Sequence, residues 1–591
     1  MIIDRQKHIQ FLKDEYRAES EVFKKKFLTQ ALCLLKETEE IYVGKFLAFR
    51  EGEMVMKFPN TRNLPRKGEH LFCMLLPNDL QNYNNWGTKT YKELYDERHK
   101  ATDAVCIWHS PTDDTRFSLV GFRKIDLAFA DIIEDLHENI LVFAPQKPPL
   151  DYISNLTKIV EDSYNPEVSA VLDADYQKHD WQPALIKQDS VTEFVHTQLF
   201  LSNTMILQGP PGTGKTYMIA ELCSKLCLEG KSVLVTALTN RALMEIAEKP
   251  FLKDMLNQGK VHKTNMTVDE RRAISNLQPL KQLAPMPSCL VLSTYYITSG
   301  YAAELSSNQP FDVVIMDEAS QALLAMFGAS KKLGMQNLWV GDVKQLSPIV
   351  TLNEDRVAAS NYRTMIDGLN LLTVSSTNPV YQLTDTYRFG KRAAQYTNAF
   401  YNGTLVSKLK SNSPEIPNVL CKVLSREGGP SLVLTDMAPS DYTPDFAAKL
   451  VTYIVGSLIK DTPEKEIAVL TCMIKTTKYL QRAINQSVGS KKNILIETIA
   501  RVQGLTTDTT ILVIPSISYI HSLNPMLFNV ATSRAREHTI IIADKDILKY
   551  SSMDTNVRDF LTCLSDDLMV YIPSKIQTES NAITEDTSFL L

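Results

Sequence analysis

Along residues 1–40, apolar side chains such as Ile9, Leu12, Phe23 and Phe27 are set among mixed charges without strand-like alternation, which predicts a helical stalk. From 41 the pattern changes. "IYVGKFLAFREGEMVMKF", "GEHLFCMLLP", "DAVCIWHS", "FSLVGFRK" and "NILVFAP" are short β-rich runs separated by turn residues, so 41–145 is expected to form a small antiparallel barrel. "NYNNWGTKTYKELYDERH" interrupts it as a longer loop or short helix. "APQKPPL" marks a boundary, and 146–180 reads as a second stalk helix. From 181 onward strands and helices alternate, the mark of parallel α/β sheets. Residues 245–285 show no clear strand and are expected as a helical insertion, and 573–591 as a polar, disordered tail.

The stretch "LQGPPGTGKT" fits G-x-x-x-x-G-K-[ST] over Gly209, Pro210, Pro211, Gly212, Thr213, Gly214, Lys215 and Thr216. The glycines let the backbone curl so that several N–H groups face one anion. Lys215 can reach the β- and γ-phosphates of a nucleotide, and the Thr216 hydroxyl can hold Mg²⁺. The flanks agree. "NTMILQ" is a buried strand, and "KTYMIAELCSKLCLEG" places Met218, Ile219, Leu222 and Leu226 at helical spacing. A glycine-rich turn that binds nothing would not need all eight positions and both flanks. A phosphate loop alone names no function.

Two further strands end in chemistry. "FDVVIMDEASQ" places Asp317 and Glu318 at a strand's carboxyl end, where α/β sheets put ligands. One carboxylate serves Mg²⁺ and the next orients or deprotonates a water. "NLWVGDVKQLSPIV" carries Gln345, an amide placed to sense the γ-phosphate.

Composition changes this picture little. A net charge of −5 argues against electrostatic coating of nucleic acid but leaves room for a local basic channel. No apolar run approaches the ~18 residues of a membrane span, and the polar start "MIIDRQKHIQ" lacks a signal-peptide core, so a cytoplasmic location is expected. The nine cysteines form no paired C-x-x-C clusters and read as reduced core thiols rather than a zinc module.

The sequence G-D-x-x-Q-L-x-P after D-E-A-S-Q resembles motif III of superfamily 1 helicases, and the other motifs follow in order. "TDTYRFG" resembles motif IV, with Arg388; "IARVQGLTTDTTILVIP" resembles motif V, with Gln503 and Gly504; "FNVATSRAREHTIIIAD" resembles motif VI, with Arg534 and Arg536. "VTALTN" is similar to motif Ia, "LSTYY" to the small nucleic-acid motif before the Asp-Glu box, and Gln188 to the adenine-reading Q motif. The nearest pattern is the up-frameshift-like branch, superfamily 1B. It departs from that pattern at Leu238, Ser347 and Thr506, none of which removes a catalytic group.

The resemblance implies an α/β fold of two tandem RecA-like P-loop domains, 181–375 and 376–572, preceded by the stalk and small β-barrel. It implies an ATP-dependent helicase or translocase moving 5′ to 3′ on single-stranded or partly duplex nucleic acid, DNA or RNA, as a monomer. Lys215, Glu318, Gln345, Arg388 and Arg534 would carry hydrolysis, the last two supplied by the second domain. Gln188, Gly504, Arg536 and the phosphate loop would bind nucleotide, and Thr216 with Asp317 the metal. Thr236, Thr239, Asn240 and Thr294 would contact nucleic acid. The alternatives are a ring-forming ATPase, against which the second α/β domain speaks, and an ATP-gated clamp that does not separate strands.

Overall fold

Val233–Ala237, Thr204–Gln208 and Phe311–Met316 are near-continuous buried runs, as strands covered on both faces require. In the computed structural model they lie in one nine-stranded sheet. The structure describes residues 3–574 apart from short segments, chief among them 60–63, 146–149, 177–181 and 410–413. The chain divides into two compact units, Met1–Ser20 with Pro149–Lys410, and Glu21–Pro148 with Ser411–Leu591.

The sheet of the first unit runs Gln278–Leu280, Val261–Thr264, Leu290–Thr294, Val233–Ala237, Phe311–Met316, Gly334–Gly341, Thr204–Gln208, Val380–Gln382, Ala184–Leu185, with every pairing parallel. Side chains alternate between its faces. Ile206, Val314, Met316 and Trp339 enter one core, and Leu207, Val235, Ile315 and Leu338 the other.

Two sequence expectations change here. The segment 245–285 contributes two strands to the sheet edge, Val261–Thr264 and Gln278–Leu280. They are too short for a period to show, and they carry Lys263 and Pro279 where a strand reading wants apolar residues. The expected domain boundary at 375/376 also moves. Val380–Gln382 pairs with the phosphate-loop strand Thr204–Gln208, and the first unit extends to Lys410.

The stalk helix Arg5–Phe23 continues into one π-helical turn, Lys24–Leu28. Its first part is pinned to the first unit. The Arg5 guanidinium donates to both Asp173 carboxylate oxygens (2.6 and 2.8 Å), to Ser169 Oγ (2.8 Å) and to the Val160 carbonyl (2.8 Å). The buried Glu15 carboxylate accepts from the Leu352 N–H at 3.0 Å, and Asp14 from Arg356 and the Tyr362 hydroxyl. The second stalk segment is two helices, Leu150–Glu161 and Pro166–Leu172, parted where Asn165 caps the Glu167 and Val168 N–H groups ahead of Pro166.

In the second unit, six antiparallel strands close a barrel in the order Tyr42–Arg50, Glu53–Pro59, Phe117–Arg123, Lys100–Pro111, His70–Leu75, Ile140–Pro145. Phe46, Met56, Phe58, Phe122 and Phe143 fill it. The interrupting segment is a short helix, Tyr91–Glu97, with a Thr90–Glu93 capping box. Phe27, Leu32 and Leu35 pack with Met74, Leu76 and Trp86, so the end of the expected stalk belongs to the barrel's outer cluster. The other sheet of this unit is six-stranded and parallel, ordered Ile494–Thr498, Ile467–Thr471, Thr507–Ile514, Ala535–Asp544, Gly429–Thr435, Met569–Ile572.

Cys73, Cys106, Cys223 and Cys227 are buried as expected, whereas Cys421 and Cys563 are exposed. Among the described residues no helix is long and apolar enough to cross a membrane. From 575 onward the expected tail lies outside the described residues.

Candidate nucleotide site and nucleic-acid loops

Thr204–Gln208, Gly334–Gly341 and Phe311–Met316 are neighbours in a parallel sheet, so the loops after them leave from one edge. The Gly209 N–H donates to the Gly341 carbonyl at 2.9 Å, tying the phosphate loop to the Gln345 loop. Gly212 (φ +74°) and Gly214 (φ +79°) take left-handed conformations that a side chain resists. Pro210 and Pro211 are buried, and the Thr213 hydroxyl closes the turn on the Pro210 carbonyl at 2.8 Å. The helix Lys215–Leu228 starts at once, with Thr216 in its first turn. Lys215 Nζ donates back to the Gly209 and Pro210 carbonyls, the second at 3.4 Å.

Asp317 is 4% exposed, and burial pushes its carboxyl up to about 6. The Lys215 ammonium and the Glu318 N–H, donating at 2.9 Å, oppose that shift, while Glu245 adds to it. The Asp317 N–H donates to the Thr236 carbonyl at 2.9 Å, and the Tyr295 hydroxyl donates to the Asp317 carbonyl at 2.7 Å. Glu318 has φ +53°, a left-handed conformation that costs a non-glycine residue roughly 1–2 kcal/mol. Such a cost is characteristic of functional turns. The Thr216 hydroxyl and Asp317 carboxylate are hard oxygen donors of the kind Mg²⁺ takes.

Gln345 is buried, and its Nε2 donates to Asp342 Oδ2 at 2.9 Å. The Tyr401 hydroxyl donates to the same oxygen at 2.6 Å. Neither Asp342 nor Tyr401 is singled out by the sequence reading, although Asp342 lies inside the motif itself.

Arg388 was expected on the second domain; the structure places it in the first unit, against the phosphate loop. The Tyr387 N–H donates to the Gly212 carbonyl at 2.8 Å, and the Thr386 hydroxyl to the Pro211 carbonyl at 3.0 Å. Tyr387 itself is 60% exposed beside the loop, an aromatic surface that the sequence reading missed. Gln188 is exposed just beyond the edge strand Ala184–Leu185.

In the second unit the motif V and VI segments meet. Arg534 is 1% exposed and donates through Nε to the Val530 carbonyl (2.8 Å) and through Nη1 to the Leu505 carbonyl (3.2 Å), next to Gly504 (φ +80°). Arg536 is half-exposed and paired with Asp508 at 2.8 Å and Glu466 at 3.3 Å. Gln503 lies outside the described residues.

Of the four expected nucleic-acid contacts, Thr236 is overturned. It is fully buried, and its hydroxyl shares a 2.9 Å hydrogen bond with Thr298. Thr239 is exposed and caps the helix Asn240–Ala247, its hydroxyl oxygen accepting from the Ala242 N–H at 3.2 Å. Asn240 and Thr294 are partly exposed at the carboxyl ends of adjacent strands.

Residues 192–351 match one family model described as an AAA domain, and residues 369–546 match a second with the same description. The chain is 25% identical over 435 residues, 64% of its length, to the DNA replication ATP-dependent helicase/nuclease DNA2 of Saccharomyces cerevisiae, of which it spans 27%. It is 23% identical over 484 residues, 75% of its length, to the DNA replication ATP-dependent helicase/nuclease JHS1 of Arabidopsis thaliana, of which it spans 33%. It is 22% identical over 422 residues, 59% of its length, to the DNA polymerase alpha-associated DNA helicase A of Schizosaccharomyces pombe, of which it spans 62%. Among solved structures, an arterivirus nonstructural protein 10 (helicase) aligns over 88% of this chain and 78% of its own, at 12% identity and a TM-score of 0.36.

Fold and site together define a P-loop NTPase with two parallel α/β sheets and an inserted barrel. The two matched AAA domains and the helicase relatives are consistent with a superfamily 1 helicase, whose 1B-branch motif set this chain resembles.

Proposed function

We propose that the chain is the motor of an ATP-hydrolysing helicase that tracks as a monomer on single-stranded or partly duplex nucleic acid, 5′ to 3′ as the resemblance implies. One observation carries this reading: the loops bearing Lys215 and Thr216, Asp317 and Glu318, and Gln345 leave neighbouring strands at one sheet edge, with the Arg388 segment hydrogen-bonded to the first of them. Lys215 turns from the loop carbonyls to the β- and γ-phosphates of ATP. Glu318 orients the attacking water, and the Gln345 amide reports on the γ-phosphate. Thr216 and Asp317 hold Mg²⁺, which when bound supplies positive charge to the phosphate oxygens. Gln188 and the loop from Gly209 to Gly214 bind the rest of the nucleotide. Arg388 offsets charge on the transferring phosphoryl group. The parts given to Arg534, Arg536 and Gly504 rest on the motif resemblance. Thr239, Asn240 and Thr294 contact the nucleic-acid backbone.

The test is ATP hydrolysis titrated with matched single-stranded DNA and RNA, followed by strand displacement from duplexes tailed on the 5′ or the 3′ side. Stimulation by one or both strands and displacement from the 5′-tailed duplex are expected. Hydrolysis that no strand stimulates would refute the motor reading, and stimulation without displacement would replace it with the clamp.

A further inference from the structure

Lys263 is a fully buried lysine on the inserted strand Val261–Thr264. Its ammonium donates to Asn240 Oδ1 at 2.8 Å, to Glu270 Oε2 at 3.1 Å and to the Thr264 carbonyl at 3.3 Å. Burying a lysine is costly unless such partners are in place, so the arrangement is a fixed one. It decides the Asn240 amide without ambiguity. An ammonium has donors only, hence the amide oxygen faces Lys263 and the NH₂ group faces away. Among the described residues none accepts from that NH₂. The neighbouring Thr239 hydroxyl already accepts from the Ala242 N–H, which leaves its proton for an outside acceptor. Both side chains stand at the first turn of the helix Asn240–Ala247, where backbone N–H groups add to the positive field. One residue further along the inserted strand, the Thr264 hydroxyl donates to Ser293 Oγ at 2.9 Å, beside Thr294. The insertion therefore braces both candidate nucleic-acid loops.

We propose that Lys263 is a positioning residue for nucleic-acid binding, which locks Asn240 donor-outward so that it and Thr239 grip a phosphate oxygen of the strand. The inference rests on the motor reading above. A phosphate grip carries no base or sugar information, so the contribution of Lys263 is the same on DNA and RNA.

The experiment is fluorescence anisotropy with labelled oligo-dT and oligo-U of equal length across a salt series. Lys263→Met is combined with Glu270→Gln so that no carboxylate is stranded in the interior. This pair is expected to bind about tenfold more weakly on both strands, the loss of one charge-assisted hydrogen bond. The salt slope should fall by about 0.7, one phosphate contact on a single strand. A purely structural role would not move that slope. Glu270→Gln alone keeps the Lys263–Asn240 bond and is expected to bind like wild type. Asn240→Asp keeps the acceptor toward Lys263 but offers the phosphate a negative charge, and should lose at least as much affinity as the pair. Because Asn240 lies at the surface, this variant decides the matter if the Lys263 pair does not fold. Wild-type affinity and slope in the pair or in Asn240→Asp would overturn the proposal, as would a loss in Glu270→Gln alone equal to that of the pair. If wild type itself binds neither oligonucleotide, the motor reading fails, and this inference with it.

Discussion

Gly212→Ala probes the contact between the phosphate loop and the Arg388 segment. A Cβ at Gly212 would lie 2.4 Å from Arg388 Cβ, 2.6 Å from Thr386 Oγ1 and 3.1 Å from the Arg388 backbone nitrogen. Two of these atoms belong to backbone or to the stem of a side chain and cannot swing aside. The residue also sits at φ +74°. The left-handed conformation costs roughly 1–2 kcal/mol, and forced overlap in a packed region about 1–3 kcal/mol. Gly214 is the internal control, because at φ +79° a Cβ there meets nothing within 4 Å and only the backbone cost remains. For a domain of this size each kcal/mol lowers the melting temperature by about 2 °C. The nucleotide-free Gly212→Ala protein should therefore melt about 4–10 °C below wild type, and Gly214→Ala about 2–4 °C below. The overlap is relieved only by parting the loop from Tyr387 and Arg388, so in Gly212→Ala hydrolysis should fall further than the affinity for a fluorescent ATP analogue. Equal melting shifts in the two variants would refute the packing argument, and unchanged hydrolysis would show that Arg388 does not act from this position.

What the sequence discloses depends on how locally each feature is encoded. The phosphate loop and the Asp317–Glu318 turn are contiguous, and both follow strands whose apolar runs are unbroken, so site and fold could be read together. The barrel was legible because its strands are long and carry their own turns. Three features were hidden for physical reasons. Val261–Thr264 is a strand by virtue of its neighbour Leu290–Thr294, and its Lys263 is tolerated only because Asn240 and Glu270 come from elsewhere in the chain. Arg388 joins the first unit through its own segment, by the Tyr387 N–H to Gly212 and the Thr386 hydroxyl to the Pro211 carbonyl, partners some 175 residues away that no local pattern announces. Thr236 carries a hydroxyl that reads as a surface contact, yet the adjacent Thr298 hydroxyl satisfies it in the interior.

Two further outcomes separate chemistry from folding. Glu318→Gln preserves size and hydrogen bonding, so it should bind ATP and Mg²⁺ as wild type does while hydrolysing at least about 100-fold more slowly. Loss of nucleotide binding instead would make Glu318 a structural or metal-holding group. His8→Leu tests the stalk. His8 is fully buried, neither ring nitrogen has a hydrogen-bond partner among the described residues, and burial together with the Arg5 charge lowers its pKa to about 3. The imidazole is therefore neutral in the folded protein, while in the unfolded chain it gains a proton below its ordinary value of 6.5. Stability linked to His8 is fully present above pH 6.5 and drains away as pH falls toward 3. At 1.36 kcal/mol per pH unit the loss reaches about 2 kcal/mol by pH 5. Leucine fills the same space without titrating, so denaturant unfolding followed from pH 7 to pH 5 should show the variant gaining about that much on wild type. A wild-type–variant difference that stays constant with pH would mean that His8 takes up its proton in the folded stalk, and that the helix is not seated there as described.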